Sequence, residues 1–113
     1  MAVTVRDAVA GDEDFILALN AASTPAVGDM SAEDYREIAG WAHRVLVAEA
    51  GGAPAGFIIL IRPGSDYPSD NFGWFEERFD NHLYIDRVAV SKTAWGHGVG
   101  RALYDEAMRI AAA

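Results

Sequence analysis

Gly96, Gly98 and Gly100 alternate with His97 and Val99, shortly after the run Leu83-Tyr-Ile-Asp-Arg-Val-Ala-Val90 and directly before Arg101-Ala-Leu-Tyr104. The run reads as a strand and the segment after the glycines as the start of a helix. Strand, glycine loop and helix N-terminus in that order build an anion site. Residues without a Cβ let the backbone turn tightly and approach a ligand, and the helix start directs its unpaired N–H groups and positive dipole end at it. A pyrophosphate is the natural guest. The spacing Gly-x-Gly-x-Gly lacks the wider third interval of a dinucleotide fingerprint and the Gly-Lys-Ser/Thr ending of a P-loop, so both of those sites fit poorly.

Charge is distributed to match. Acidic residues outnumber basic ones by 17 to 9, for a net charge of −8, which argues against general nucleic-acid binding. Yet Arg87 through Tyr104 contains no Asp or Glu and carries Arg87, Lys92, His97 and Arg101. This basic patch reads either as an attraction for phosphates or as an ordinary solvated helix start. A cation is unfavourable in a first helical turn, so Arg101 favours the phosphate reading.

The elements that must hold the loop fit within one domain. At 113 residues, 51% of them hydrophobic, the chain is long enough for one core and too short for two ordinary domains, which gives a single domain over 1–113. There is no cysteine, which removes disulfides, thiolate metal sites and cysteine nucleophiles and is compatible with a cytoplasmic setting. The N-terminus Met1-Ala-Val-Thr-Val-Arg6 lacks the features of a signal peptide, and no run approaches the length of a membrane span.

Val3 to Arg6 reads as a first strand, and Asp12 to about Asn20 as a helix with Phe15, Ile16 and Leu19 on one face. Ser31 can cap a second helix reaching about Gly40, with Tyr35, Ile38 and Ala39 inward. His43–Glu49 and Ala55–Ile61 form a hairpin across Ala50-Gly-Gly-Ala-Pro54, the second strand apolar enough to be covered on both faces. Residues 62 to 81 are irregular but hold five of the twelve aromatics. Phe75 and Phe79 are spaced for a short amphipathic turn covering the sheet, while Tyr67 and Trp74 could instead wall an acceptor pocket. The last helix places Val99, Leu103, Ala107 and Ile110 on one face.

Trp95-Gly96-His97-Gly98-Val99-Gly100, between a fourth strand and a third helix, resembles the acetyl-CoA loop of the GNAT (GCN5-related) N-acetyltransferases, whose pattern is Gln/Arg-x-x-Gly-x-Gly/Ala. Both glycine positions match; Trp95 stands where that family has Gln or Arg. The resemblance covers essentially the whole chain and implies an α/β (α+β) fold, a mixed, mainly antiparallel twisted sheet flanked by helices in the order β-α-α-β-β-β-α. The family continues with a fifth strand, a fourth helix and a terminal strand pair, none of which this sequence supplies. A fragment, a wall donated by another chain and a reduced member are the three explanations; the ending Ala111-Ala-Ala113, with no helix stop signal, favours the fragment.

What the resemblance implies is transfer of acetyl from acetyl-CoA to an amine by direct attack. It assigns pantetheine binding to the backbone of Val88, Ala89 and Val90, and pyrophosphate binding to Gly96, His97, Gly98, Val99, Gly100 and Arg101. Some members use a carboxylate on the fourth strand as base. Period-2 alternation puts Tyr84, Asp86, Val88 and Val90 on one face and Ile85, Arg87 and Ala89 on the other, making Asp86 the base candidate or, alternatively, a structural carboxylate. Tyr84 joins Tyr67 and Trp74 as candidate acceptor contacts. Tyr104 does not match the family's catalytic tyrosine and reads as a half-exposed packing residue. His43, His82 and His97 lack metal-ligand spacing; His97 alone is placed to reach a phosphate. Expected partners are acetyl-CoA and an amine, with neither nucleic acid nor membrane, and a second copy at an exposed sheet edge. The rival functions are a non-catalytic CoA-binding module and a nucleotide-phosphate binder of another α/β class.

Overall fold

The computed structural model describes residues 2–24, 26–62 and 83–112. Tyr67, Trp74 and His82, with the rest of the aromatic segment, lie outside them. Four strands, β1 (Val3–Asp7), β2 (Arg44–Ala50), β3 (Ala53–Ile61) and β4 (Tyr84–Val90), form one sheet in sequence order, each antiparallel to its neighbour. Helices α1 (Glu13–Ala22) and α2 (Ala32–Trp41) precede β2, and α3 (Val99–Ala112) follows β4. The order is the expected β-α-α-β-β-β-α.

Local sequence explains most of these boundaries. Gly51 and Gly52 take φ of 62° and 83°, the double left-handed turn that closes a two-residue hairpin without splaying its strands. Ser31 caps α2: its hydroxyl accepts from the Asp34 N–H at 3.1 Å, and the Asp34 carboxylate accepts from the Ser31 N–H at 3.1 Å. A 3-10 turn over Ala10–Asp12 leads into α1, and its Asp12 is buried rather than solvated in a first turn. That carboxylate takes both Arg6 guanidinium nitrogens at 2.8 and 2.9 Å and the Val9 N–H at 2.8 Å, fastening β1 to the start of α1. At the other end, the Arg62 guanidinium donates to the Ile110 carbonyl at 2.7 Å, a cation on the last turn of α3.

The sheet separates two apolar layers. Toward α1 and α2 it presents Val47, Phe57, Ile59, Ile61 and Ala89, which meet Ile16, Leu19, Tyr35 and Ile38. Toward α3 it presents Leu46, Ala48, Ala55, Ile58 and Leu60, which meet Val99, Leu103, Ala107 and Ile110. With apolar cover on both sides, β3 is buried from Ala55 to Ile61. Gly56 lets α3 approach closely: a Cβ there would stand 2.9 Å from the Ala89 carbonyl oxygen and 3.0 Å from Val99 Cγ1.

One local expectation fails in β4. Ile59 pairs with Arg87 and Leu60 with Ile85, so the register steps over Asp86 in a β-bulge. Simple alternation therefore breaks at Asp86. Tyr84 packs with Ala89 on the α1/α2 side, whereas Ile85 packs with Val88 and Val90 on the α3 side.

Candidate functional site

The loop after β4 is built almost wholly from backbone. The Ser91 N–H donates to the Ala55 carbonyl at 2.8 Å, and a 3-10 turn over Lys92–Ala94 reverses the chain. Trp95 and His97 then donate their N–H groups back to Lys92 and Ala94 at 3.2 and 3.3 Å. Gly96 and Gly98 follow with φ of 85° and 81°, a region that strongly favours glycine. The Ala102 N–H donates to the Gly98 carbonyl at 3.0 Å as the first bond of α3. Helix geometry leaves the N–H groups of Gly98, Val99, Gly100 and Arg101 without intrahelical acceptors, and no acid occupies the first turn. These four amides sit at the positive end of a 14-residue helix.

The predicted loop residues divide by what they offer. The Val99 side chain is buried against the sheet, so only its backbone faces the loop's outer side. Gly100 is helical, and a Cβ there would make ordinary contact with Val90 Cγ2 at 3.7 Å. The His97 amide is committed within the loop, and its ring is exposed. Lys92 and Arg101 are exposed too; the Arg101 Nε lies 3.9 Å from the Asp105 carboxylate, a loose surface pair.

Arg87 does not join this cationic group. Its Nε donates to Asp86 at 2.8 Å, and its Nη1 donates to Asn20 Oδ1 and the Gly28 carbonyl, each at 3.1 Å. Asn20, fully buried in α1, donates to that same Gly28 carbonyl at 2.9 Å. Arg87 and Asn20 thus lock the α1–α2 connection against β4. Nothing in the sequence pattern separates Asn20 from a solvated helix residue except its place one turn after Ile16, on the apolar face.

Along β4, the Ser91 amide turns toward β3, so antiparallel alternation turns the N–H and C=O of Val88 and Val90 toward the outer edge and those of Ala89 toward β3. Of the three residues expected to meet pantetheine, Val88 and Val90 therefore carry the edge. Beside them Asp86, Val88 and Tyr104 share a cleft of about 420 Å³ with Ala26, Val27 and Gly28 of the α1–α2 connection. Tyr104, read from sequence as a packing residue, is 45% exposed and faces this cleft. The side chain of Asp86 is only 7% exposed, ion-paired with Arg87. Tyr84 packs against the α1/α2 layer.

Trp95 occupies the corner between loop and strand. Its indole N–H donates to the Val90 carbonyl at 3.1 Å, while 63% of the residue remains exposed. Trp95, Val90 and Lys92 face Leu19 and Ala22 of α1 across a mainly apolar slot of about 270 Å³. A larger cleft of about 670 Å³, lined by Tyr35, Arg36, His43 and Arg44, lies away from the loop. Two of its cations are already matched, Arg36 by Glu13 at 2.9 Å and Arg44 by Asp7 at 2.6 Å.

A model of the acetyltransferase (GNAT) family matches residues 14–113. Among solved structures, Ard1 from Thermoplasma volcanium is 18% identical with a TM-score of 0.76, over 98% of this chain and 64% of that one. N-acetylglutamate synthase from Neisseria gonorrhoeae, complexed with coenzyme A and N-acetyl-glutamate, is 20% identical with a TM-score of 0.72, over 98% of this chain and 23% of that one. Ribosomal-protein-alanine N-acetyltransferase from Brucella melitensis is 27% identical with a TM-score of 0.63, over 96% of this chain and 66% of that one. The chain thus spans less than two thirds of each of these proteins. No curated protein matches it.

Proposed function

The chain belongs to the GNAT acetyltransferase family, and from that premise we propose that it binds acetyl-CoA and passes the acetyl group to an amine. The bound thioester supplies an activated acyl carbon for direct attack by a neutral amine. The chain's own residues have three tasks: to hold the donor, to orient it and to manage the amine's proton. Holding falls to the amides of Gly98 to Arg101 at the start of α3, with Lys92 and Arg101 supplying positive charge and the exposed His97 ring beside them. Orientation falls to the outward backbone groups of Val88, which offer an amide-bearing arm the same pairing as a strand, the Val90 carbonyl being taken by the Trp95 indole. Proton handling falls to Asp86 in the cleft that Tyr104 also faces. A cytoplasmic setting belongs with this reading.

The observation that carries it is the helix start with four amides lacking intrahelical acceptors behind two left-handed glycines, in a stretch without acid. Gly98→Val is the test. Space is open at that position, since a Cβ would meet nothing within 4 Å, so the substitution acts through conformation: it disfavours the 81° φ that aims the amides. Calorimetric titration with CoA is expected to show at least about a tenfold loss of affinity in a variant that still melts cooperatively. Wild-type affinity in a folded Gly98→Val protein contradicts the assignment.

A second reading, a CoA-binding module without transferase activity, is favoured by one observation: the Asp86 carboxylate is ion-paired with Arg87 at 2.8 Å and its side chain is only 7% exposed. An acyl-transfer assay over an amine panel separates the two. The panel includes a peptide with N-terminal alanine, because one of the matched structures is a ribosomal-protein-alanine N-acetyltransferase. Transfer to any amine supports the enzyme; CoA binding without transfer supports the module.

A further inference from the structure

The slot beside Trp95 is unused by the assignments above, although it adjoins both of them. It opens at the loop end of β4, where Val90 and Lys92 connect the strand edge to the glycine loop, and its far wall is Leu19 and Ala22. Trp95 is fixed there by its own hydrogen bond to the Val90 carbonyl, so a largely exposed indole is held in one place instead of sweeping solvent. An exposed, tethered aromatic ring over an apolar slot points to a ligand with an apolar group at that position.

We propose that Trp95 positions acyl-CoA by closing this slot over the two methyl groups of its pantoate unit. The inference rests on the acetyl-CoA reading and on the order of groups along the cofactor. Pantoate is the unit bonded to the pyrophosphate, and pantetheine amides follow it. With phosphate at Gly98 to Arg101 and amides along Val88, the pantoate falls at the level of Val90, where the slot opens. The same indole N–H occupies the Val90 carbonyl, so amide pairing along the edge starts at Val88. Trp95 is a positioning residue in this scheme, one that stands where the family pattern has Gln or Arg and contributes an apolar contact there.

Affinities of wild type, Trp95→Phe and Trp95→Ala are to be measured by calorimetry for CoA, 4′-phosphopantetheine, its analogue lacking the two methyls, and adenosine 3′,5′-bisphosphate. Trp95→Ala is expected to weaken CoA and 4′-phosphopantetheine about tenfold, the worth of two buried methyls, and to leave adenosine 3′,5′-bisphosphate unchanged. Wild type should lose the same factor for the analogue, with no further loss on Trp95→Ala, and Trp95→Phe should retain most of the affinity. The inference is overturned if Trp95→Ala weakens adenosine 3′,5′-bisphosphate instead, which would put the base on the ring, or if it changes no affinity. If wild type binds neither CoA nor 4′-phosphopantetheine, the acetyl-CoA reading itself falls with it.

Discussion

Asp86 is held by Arg87 at 2.8 Å and sits at a bulge, where a strand can re-aim a side chain toward a cleft. As a base it should matter to turnover alone: Asp86→Asn is expected to lower kcat about a hundredfold while leaving CoA affinity within about twofold. Unchanged kcat in a folded variant would make the carboxylate structural. Another carboxylate sets part of the response to acid. The paired Arg6 guanidinium, aided by the Val9 N–H, holds the Asp12 carboxyl below its ordinary value against the opposing effect of burial. The unfolded chain takes up this proton first as pH falls, so the stabilisation is present above the unfolded pKa and lost on acidification. Chemical denaturation should therefore show stability declining from about pH 4. The decline should be shallower in Asp12→Asn; equal slopes would show that Asp12 does not carry it.

Gly56 is where β3 admits α3, with the Ala89 carbonyl oxygen 2.9 Å and Val99 Cγ1 3.0 Å from the missing Cβ. Backbone cannot step aside as a flexible side chain can, so Gly56→Ala should cost about 1–3 kcal/mol by denaturant titration. Because Val99 is the first residue of α3, it should also disturb the loop and weaken CoA binding; a variant as stable as wild type would show that the helix shifts freely. The elements themselves were legible, because each carried a local signal: Gly51-Gly52 for the hairpin, Ser31 for the α2 cap, and the Val99, Leu103, Ala107, Ile110 stripe for α3. The faces of β4 were not, since alternation was read straight through Asp86 and paired Tyr84 with Val88 instead of with Ala89. A bulge without glycine leaves no mark in composition. Arg87 was likewise misassigned to the phosphate patch, because its partners Asn20 and Gly28 are distant in sequence and meet it only through the fold.

At the scale of the whole chain, β4 ends the sheet among the described residues, with the backbone groups of Val88 and Val90 turned outward. A second copy can use that edge, and so can the pantetheine arm. Sedimentation equilibrium is expected to show an average mass rising above 12.2 kDa with concentration and falling back when CoA is added. A mass fixed at 12.2 kDa throughout would mean that the edge does not recruit a partner. The two apolar layers bear on Asp86 in another way. Leu83, Ile85, Val88 and Val90 serve the α3 layer, and Tyr84 and Ala89 the other, as they would in a strand one residue shorter. Asp86 is therefore an inserted letter in a word the core already spells without it. Neither layer dictates what stands at that position, so the residue there answers to the Arg87 ion pair and to the cleft rather than to the core.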